Sequence, residues 1–267
     1  MKIPFTKAHG AGNDFLLTLA ADVPQVDLPA LARAICDRHT GVGADGWMLL
    51  RDMNIRLFNA DGSEPEMSGN GTRCAAAVLI ESGKAGSDLT IHTDAGPKRL
   101  RLIERAERRY VFEMEMGKPR YSEDQLRFLL PLKNGPREVT IVDVGNPQCV
   151  VFVDQFPADW DAMGAEIEAH PHFPHRTNVS FVRRVDAHTI EARFYERGAG
   201  VTLSSGTGST GAAVASILRK FVESPVAVRT PGSETLQLRW DESVFLTGPA
   251  EIVAIGEFFY KPALAQK

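Results

Sequence analysis

Two short segments carry the residue types and spacing that could move a proton. Ser68-Gly69-Asn70-Gly71 and Ser205-Gly206-Thr207-Gly208 each lead from a β-rich run into an alanine-rich one. A serine in that place is an N-cap, and the glycines let the backbone turn tightly and approach a ligand. The N–H groups of a first helical turn have no partner within the helix, and the macrodipole adds partial positive charge. Such a turn suits a carboxylate and favours the ionised form of an acidic side chain. Two such turns facing one ligand could take a proton from one face of a carbon and return one to the other. Two plain caps in a duplicated fold are the competing reading.

The segments belong to a longer internal repeat. Residues 68–80 and 205–217 share the serine, both glycines, two alanines and the final isoleucine. In the same order, Arg56-Leu57-Phe58-Asn59 matches Arg193-Phe194-Tyr195-Glu196, and Gly12-Asn13 matches Gly145-Asn146. Apolar helical patterns at 28–36 and 160–167 correspond as well. Alternating or β-rich runs predict strands over 3–7, 15–19, 47–51, 54–58, 89–92, 100–104, 110–114, 138–144 and 150–154. Further strands are expected over 178–182, 189–195, 226–229, 235–240, 243–247 and 251–259. The clearest helices are expected at 72–82 and 209–221. The fold class is therefore α+β, with two pseudo-symmetric domains, each a bent, barrel-like sheet around a small-residue helix. The expected domains are 1–125 and 126–267, with the join in 116–136 and a last strand that crosses back to the first domain.

Composition narrows the function. A net charge of −4 and a pI near 6.0 give no attraction to nucleic acid or to an anionic membrane surface. The start lacks a signal-peptide apolar region, and no run approaches the roughly 20 apolar residues of a membrane helix. A cytoplasmic protein is expected. Cys36, Cys74 and Cys149 are scattered and odd in number, which reads as reduced, buried thiols with no metal pattern.

Further motifs extend the pattern over the whole chain: residues 5–15 (FTKAHGAGNDF), 40–45 (TGVGAD), 58–71, Gly145-Asn146-Pro147, Thr177-Asn178-Val179 and 196–200 (ERGAG). In this order they resemble the diaminopimelate epimerase family. The resemblance implies two pseudo-symmetric domains with an amino-acid substrate in the cleft between them, and epimerisation at the α-carbon without pyridoxal phosphate, metal or other cofactor. It implies proton transfer at positions 68 and 205. It further implies α-carboxylate contacts from Gly69, Asn70, Gly206 and Thr207, with Asn13, Asn59, Asn146, Asn178, Glu196 and Arg197 holding the rest of the substrate. A homodimer serving lysine and peptidoglycan precursor synthesis follows from the same resemblance. Arg56, Arg73 and Arg197 are candidates for a second substrate carboxylate.

Four positions depart from that pattern. Ser68 and Ser205 stand where the family carries catalytic cysteines, Gln148 stands in place of histidine, and Gly46 in place of a polar amide. A free cysteine titrates near 8.5, whereas a hydroxyl needs a partner to take its proton. Glu196 is the remaining carboxylate that could serve as a base. Two alternatives stay open: a phenazine-biosynthesis-like isomerase on the same fold, and a non-catalytic amino-acid-binding paralogue. Gly41 to Gly46 formally match a dinucleotide fingerprint but precede a strand rather than a helix. His170, His172 and His175 are separated by prolines, unlike a zinc site. Alternation across 98–102 reads as a strand with one solvated face. His9 and His39, beside motif residues, are read as structural hydrogen-bonding groups.

Overall fold

The structure, a computed structural model, describes residues 1–232 and 234–261. The first part of the chain forms β1 (Lys2–Gly10), β2 (Asn13–Leu19), α1 (Leu28–Cys36), β3 (Gly46–Arg51), β4 (Asn54–Asn59), α2 (Gly69–Glu81), β5 (Asp88–Thr93), β6 (Gly96–Ala106) and β7 (Arg109–Gly117). There follow β8 (Phe128–Leu132), β9 (Gly135–Asp143), β10 (Pro147–Phe152), α3 (Trp160–Glu168), β11 (Asn178–Arg184), β12 (Thr189–Glu196) and β13 (Gly200–Thr202). The chain continues with α4 (Gly206–Leu218), β14 (Val226–Arg229), β15 (Thr235–Trp240) and β16 (Val244–Phe259).

These elements divide into two compact units. Met1–Gly10, Asp14–Tyr110 and the stretch from Ala250 form the first; Ala11–Asn13 and Val111–Pro249 form the second. The division runs through β7, ahead of the expected join at 125/126. Residues 262–267 of the expected second domain lie outside the described residues.

Strands β1 to β7 neighbour one another in chain order, and β16 lies beside both β7 and β1, closing an eight-stranded barrel. The second path runs β16-β15-β14-β12-β11-β10-β9-β8, with β13 beside β12. One local plan occurs in each unit. β2 and β3 are parallel and joined through α1; β10 and β11 are parallel and joined through α3. An antiparallel strand then follows, β4 or β12, and the chain crosses through α2 or α4 to a further parallel strand, β5 or β14. Parallel neighbours need a long crossover, and a helix supplies it.

α2 and α4 sit inside their own sheets. α2 packs on β1, β3, β5 and β6, and α4 on β9 to β12, β14 and β15. Small residues make this possible: Ala75 to Ala77 and Ala212 to Ala215 with Val214 are buried. In the first unit the core gathers Ile3, Leu16, Leu31, Ile35, Trp47 and Phe58. The Trp47 indole donates to Thr18 Oγ1 at 3.0 Å, so its one polar atom is satisfied. The second core gathers Leu130, Val139, Cys149, Val151, Ile167 and Phe181.

Both central helices start three residues ahead of the expected position, directly after the serine cap. The glycines that read as a turn lie inside the first helical turn, where they permit close packing. A Cβ on Gly208 would come within 2.7 Å of the Phe194 ring, and one on Gly71 would meet the Phe15 ring at 3.3 Å and the end of Met48. β8 and β13 were not among the expected strands. The two strands expected over 243–259 are one, β16.

Candidate active site

The Ser68 side chain, half-exposed at the start of α2, accepts from the Gly71 N–H at 3.1 Å. A hydroxyl has one hydrogen and two lone pairs. Among the described residues, no acceptor takes the Ser68 hydrogen. The Ser68 carbonyl receives Thr72 N and Oγ1, which tightens the first turn. Gly69 and Asn70 are buried in that turn. Arg73 lies one turn along α2 and is fully buried; it donates to Asn70 Oδ1 at 2.6 Å and to the Gly69 carbonyl at 3.2 Å. Burial lowers its pKa to about 10. Arg73 thus braces the turn from inside. Arg56 is held bidentately by Glu64, so its charge is also met within the unit.

The remaining first-unit motifs form a clamp. Asp14 and Asp45 exchange hydrogen bonds through backbone and side chain, Arg38 reaches both carboxylates at 2.8 and 2.7 Å, and Lys7 reaches Asp14 at 3.0 Å. Burial alone would raise the Asp14 carboxyl, but the bonds from Arg38 and Lys7 outweigh it and hold the carboxyl below its ordinary value. This clamp ties the start of β2 to the loop before β3. Asn13, 7% exposed, opens β2 beside it. Asn59 closes β4, and its amide donates to Ser63 Oγ at 3.0 Å. Gly46 has a steric reason: a Cβ there would lie 2.8 Å from the Phe58 carbonyl.

The second unit surrounds its serine with partners. Ser205 is 2% exposed and accepts from the Gly208 N–H at 3.0 Å. Its hydroxyl donates to Glu196 Oε2 at 2.8 Å. Glu196 Oε1 accepts from Thr202 Oγ1 at 2.7 Å. One lone pair of Ser205 is left over. Gln148, fully buried, donates to Asn146 Oδ1 at 2.7 Å, and Asn146 donates to Thr207 Oγ1 at 3.4 Å. A Cβ on Gly211 would come within 2.7 Å of Gln148 Cγ, so the glycine makes room for the glutamine. Asn178 donates to the Pro147 carbonyl at 3.1 Å and accepts from the Arg197 N–H at 3.0 Å. The Arg197 guanidinium donates to the His175 carbonyl. Gly206 and Thr207 are buried in the first turn of α4.

No cysteine takes the place of the two serines. Cys36, Cys74 and Cys149 are all buried, and desolvation raises each thiol, to about 12 for Cys36 and Cys74. His170 bonds the Pro131 carbonyl and His172 stacks on Phe128.

Thr202 is a participant that no sequence motif marks. It lies six residues from Glu196, on the short β13 that hairpins back along β12. An unread strand hid it. In the sequence Gln148 stands out only as a departure, although its amide orients Asn146.

A family profile described as diaminopimelate epimerase matches residues 5–122 and 140–253. The diaminopimelate epimerase of Pelotomaculum thermopropionicum is 40% identical, over 96% of this chain and 99% of that protein. Among solved structures, a hydroxyproline epimerase from Agrobacterium vitis aligns with a TM-score of 0.72 at 15% identity, over 96% of this chain and 92% of that one. A phenazine biosynthesis protein of the PhzF family from Bacillus anthracis aligns with a TM-score of 0.67 at 17% identity, over 97% and 100%. These two likenesses concern the fold.

Proposed function

The chain belongs to the diaminopimelate epimerase family, and we propose that it epimerises diaminopimelate at an α-carbon, with Ser205 and Ser68 serving opposite faces of that carbon. The observation that carries this reading is the matched pair of serine caps. Each hydroxyl lies at the start of a buried helix, 3.1 or 3.0 Å from the N–H three residues on. The N–H groups of Gly69, Asn70, Gly206 and Thr207 would hold the α-carboxylate. Negative charge that spreads into that carboxylate as the α-proton leaves would meet the helix ends.

Ser205 takes the proton and Ser68 delivers one. Asn13, Asn59, Asn146, Asn178 and Arg197 hold the amino group and the distal half. Glu196 combines substrate proximity with its bond to Ser205. The proposed reaction needs no cofactor, since the two serines exchange the proton and backbone N–H groups hold the carboxylate. Exposed Val253, Ile255 and Phe259 along β16 support a homodimer. Among the described residues no helix is long and apolar enough to cross a membrane. A cytoplasmic role in lysine and peptidoglycan precursor supply fits the reaction.

The test follows the α-proton by NMR in D₂O with LL- or meso-diaminopimelate, beside a Ser68→Cys/Ser205→Cys double variant. Deuterium entry with the unmodified protein supports the reading. Silence from it but exchange by the double variant would overturn the serines as acid and base and leave a site that fits diaminopimelate but needs thiols to turn it over. Silence from both would overturn diaminopimelate as substrate and leave an amino-acid-binding paralogue as the better account.

A further inference from the structure

We propose that Thr202 is a positioning residue that makes Ser205 a carboxylate-backed proton relay, so that the protein exchanges the α-proton on the Ser205 face faster than it inverts the carbon. The inference rests on the epimerase reading above. Its basis is the unequal hydrogen bonding of the two serines. Ser205 already gives its hydrogen to Glu196 Oε2 and keeps one lone pair after accepting from Gly208. It is set to accept a proton. Ser68 keeps its hydrogen and has no carboxylate bonded to it among the described residues. It is set to give one.

The step balances without a further reactant. The α-C–H bond breaks, its proton goes to Ser205 Oγ, and the serine's own hydrogen moves to Glu196 Oε2. The electron pair stays on the substrate, spread into its carboxylate. Glu196 becomes the neutral acid and Ser205 ends as it began. Glu196 is half-buried, so its new proton can exchange with solvent before the relay reverses. Reversal then returns a solvent hydrogen to the same face with retention of configuration. Inversion instead needs Ser68 to give up its hydrogen with no acid bonded to it among the described residues to reprotonate the alkoxide left behind, which is the slower outcome.

Thr202 enters through Glu196. Its Oγ1 donates to Oε1 at 2.7 Å, which leaves Oε2 turned toward Ser205. Without that bond Oε1 loses its hydroxyl partner on β13, and the alignment of Oε2 with Ser205 loosens. The bond spans six residues and depends on β13 lying against β12.

The experiment compares the parent with Thr202→Val, Thr202→Ser and Glu196→Gln, on LL- and meso-diaminopimelate in D₂O. NMR separates deuterium retained in unreacted substrate from deuterium in inverted product. With one of the two stereoisomers, retained deuterium should outpace inversion; with the other, inversion should account for the deuterium. Thr202→Val should lower kcat and the retained exchange about tenfold with little change in KM, the effect of losing one bond to a charged group. Thr202→Ser should restore both, and Glu196→Gln should abolish retained exchange. Equal rates of exchange and inversion with both stereoisomers would overturn the inference while leaving the epimerase reading standing. So would a Thr202→Val protein with the parent's kcat. No deuterium entry with either stereoisomer would overturn both.

Discussion

In the first unit the serine cap of α2 is half-exposed, its hydrogen is uncommitted among the described residues, and its neighbours brace the turn. In the second the serine cap of α4 is buried, and its hydrogen runs to a carboxylate that Thr202 holds in place. Yet the two helices enter alike: a serine in extended backbone, a bond to the N–H three residues on, and a glycine where the helix meets a ring. The backbone plan is repeated and the side-chain chemistry is divided. In the proposed reaction this duplicated frame supplies two helix ends for the carboxylate, and departures within it make one end the proton acceptor and the other the donor.

The largest effect should come from erasing the difference. Thiols at both positions place groups titrating near 8.5 where hydroxyls now stand. Ser68→Cys/Ser205→Cys should raise the inversion rate by about 10²- to 10⁴-fold and bring exchange and inversion toward the same rate. A double variant no faster than the parent would show that the serines do not limit the reaction.

A smaller effect should sharpen the comparison through packing. A Cβ on Gly208 meets the Phe194 ring and Ser205 itself, whereas one on Gly71 meets the movable end of Met48 most closely. Gly208→Ala should cost about 1–3 kcal/mol in urea unfolding and Gly71→Ala less. Equal losses would mean that the two helix entrances are packed alike.

The smallest effect concerns the Asp14–Arg38–Asp45 clamp of the first unit. Asp14 is held below its ordinary value of 3.8 by Arg38 and Lys7. A depressed carboxyl stabilises the fold above its unfolded-state pKa, and that contribution is lost as pH falls through the lower folded-state pKa. Asp14→Asn should therefore cost about 1–2 kcal/mol near neutrality, reduced by the half-exposed Arg38, and flatten the loss of stability below about pH 4. An unchanged acid limb in the variant would remove Asp14 from that account.

Much of this architecture was legible in the chain. The repeated Ser-Gly-x-Gly segments located both central helices because a cap, a small-residue turn and an alanine-rich run are local signals. The helices start earlier than the pattern predicts because glycine reads as a turn, while here it allows a helix to press against a strand. β16 read as two strands because Gly248-Pro249 interrupts it. That pair lies between the residues matched with β15 (244–247) and those matched with β1 (251–259), so the strand changes partners across it. Arg73 looked like a ligand for a second carboxylate, and tertiary packing instead buries it against Asn70. Glu196, Thr202 and Ser205 stood in plain view in the sequence, but their bonding depends on a three-residue strand too short to leave a periodic signal.

The most direct test of the unequal serines is to remove each in turn and follow diaminopimelate in D₂O. Ser68→Ala should lose inversion yet keep deuterium entry with retention into one stereoisomer, because the Ser205–Glu196 relay remains. Ser205→Ala should lose both. Equal behaviour of the two variants, or retained exchange that survives in Ser205→Ala and vanishes in Ser68→Ala, would contradict the account.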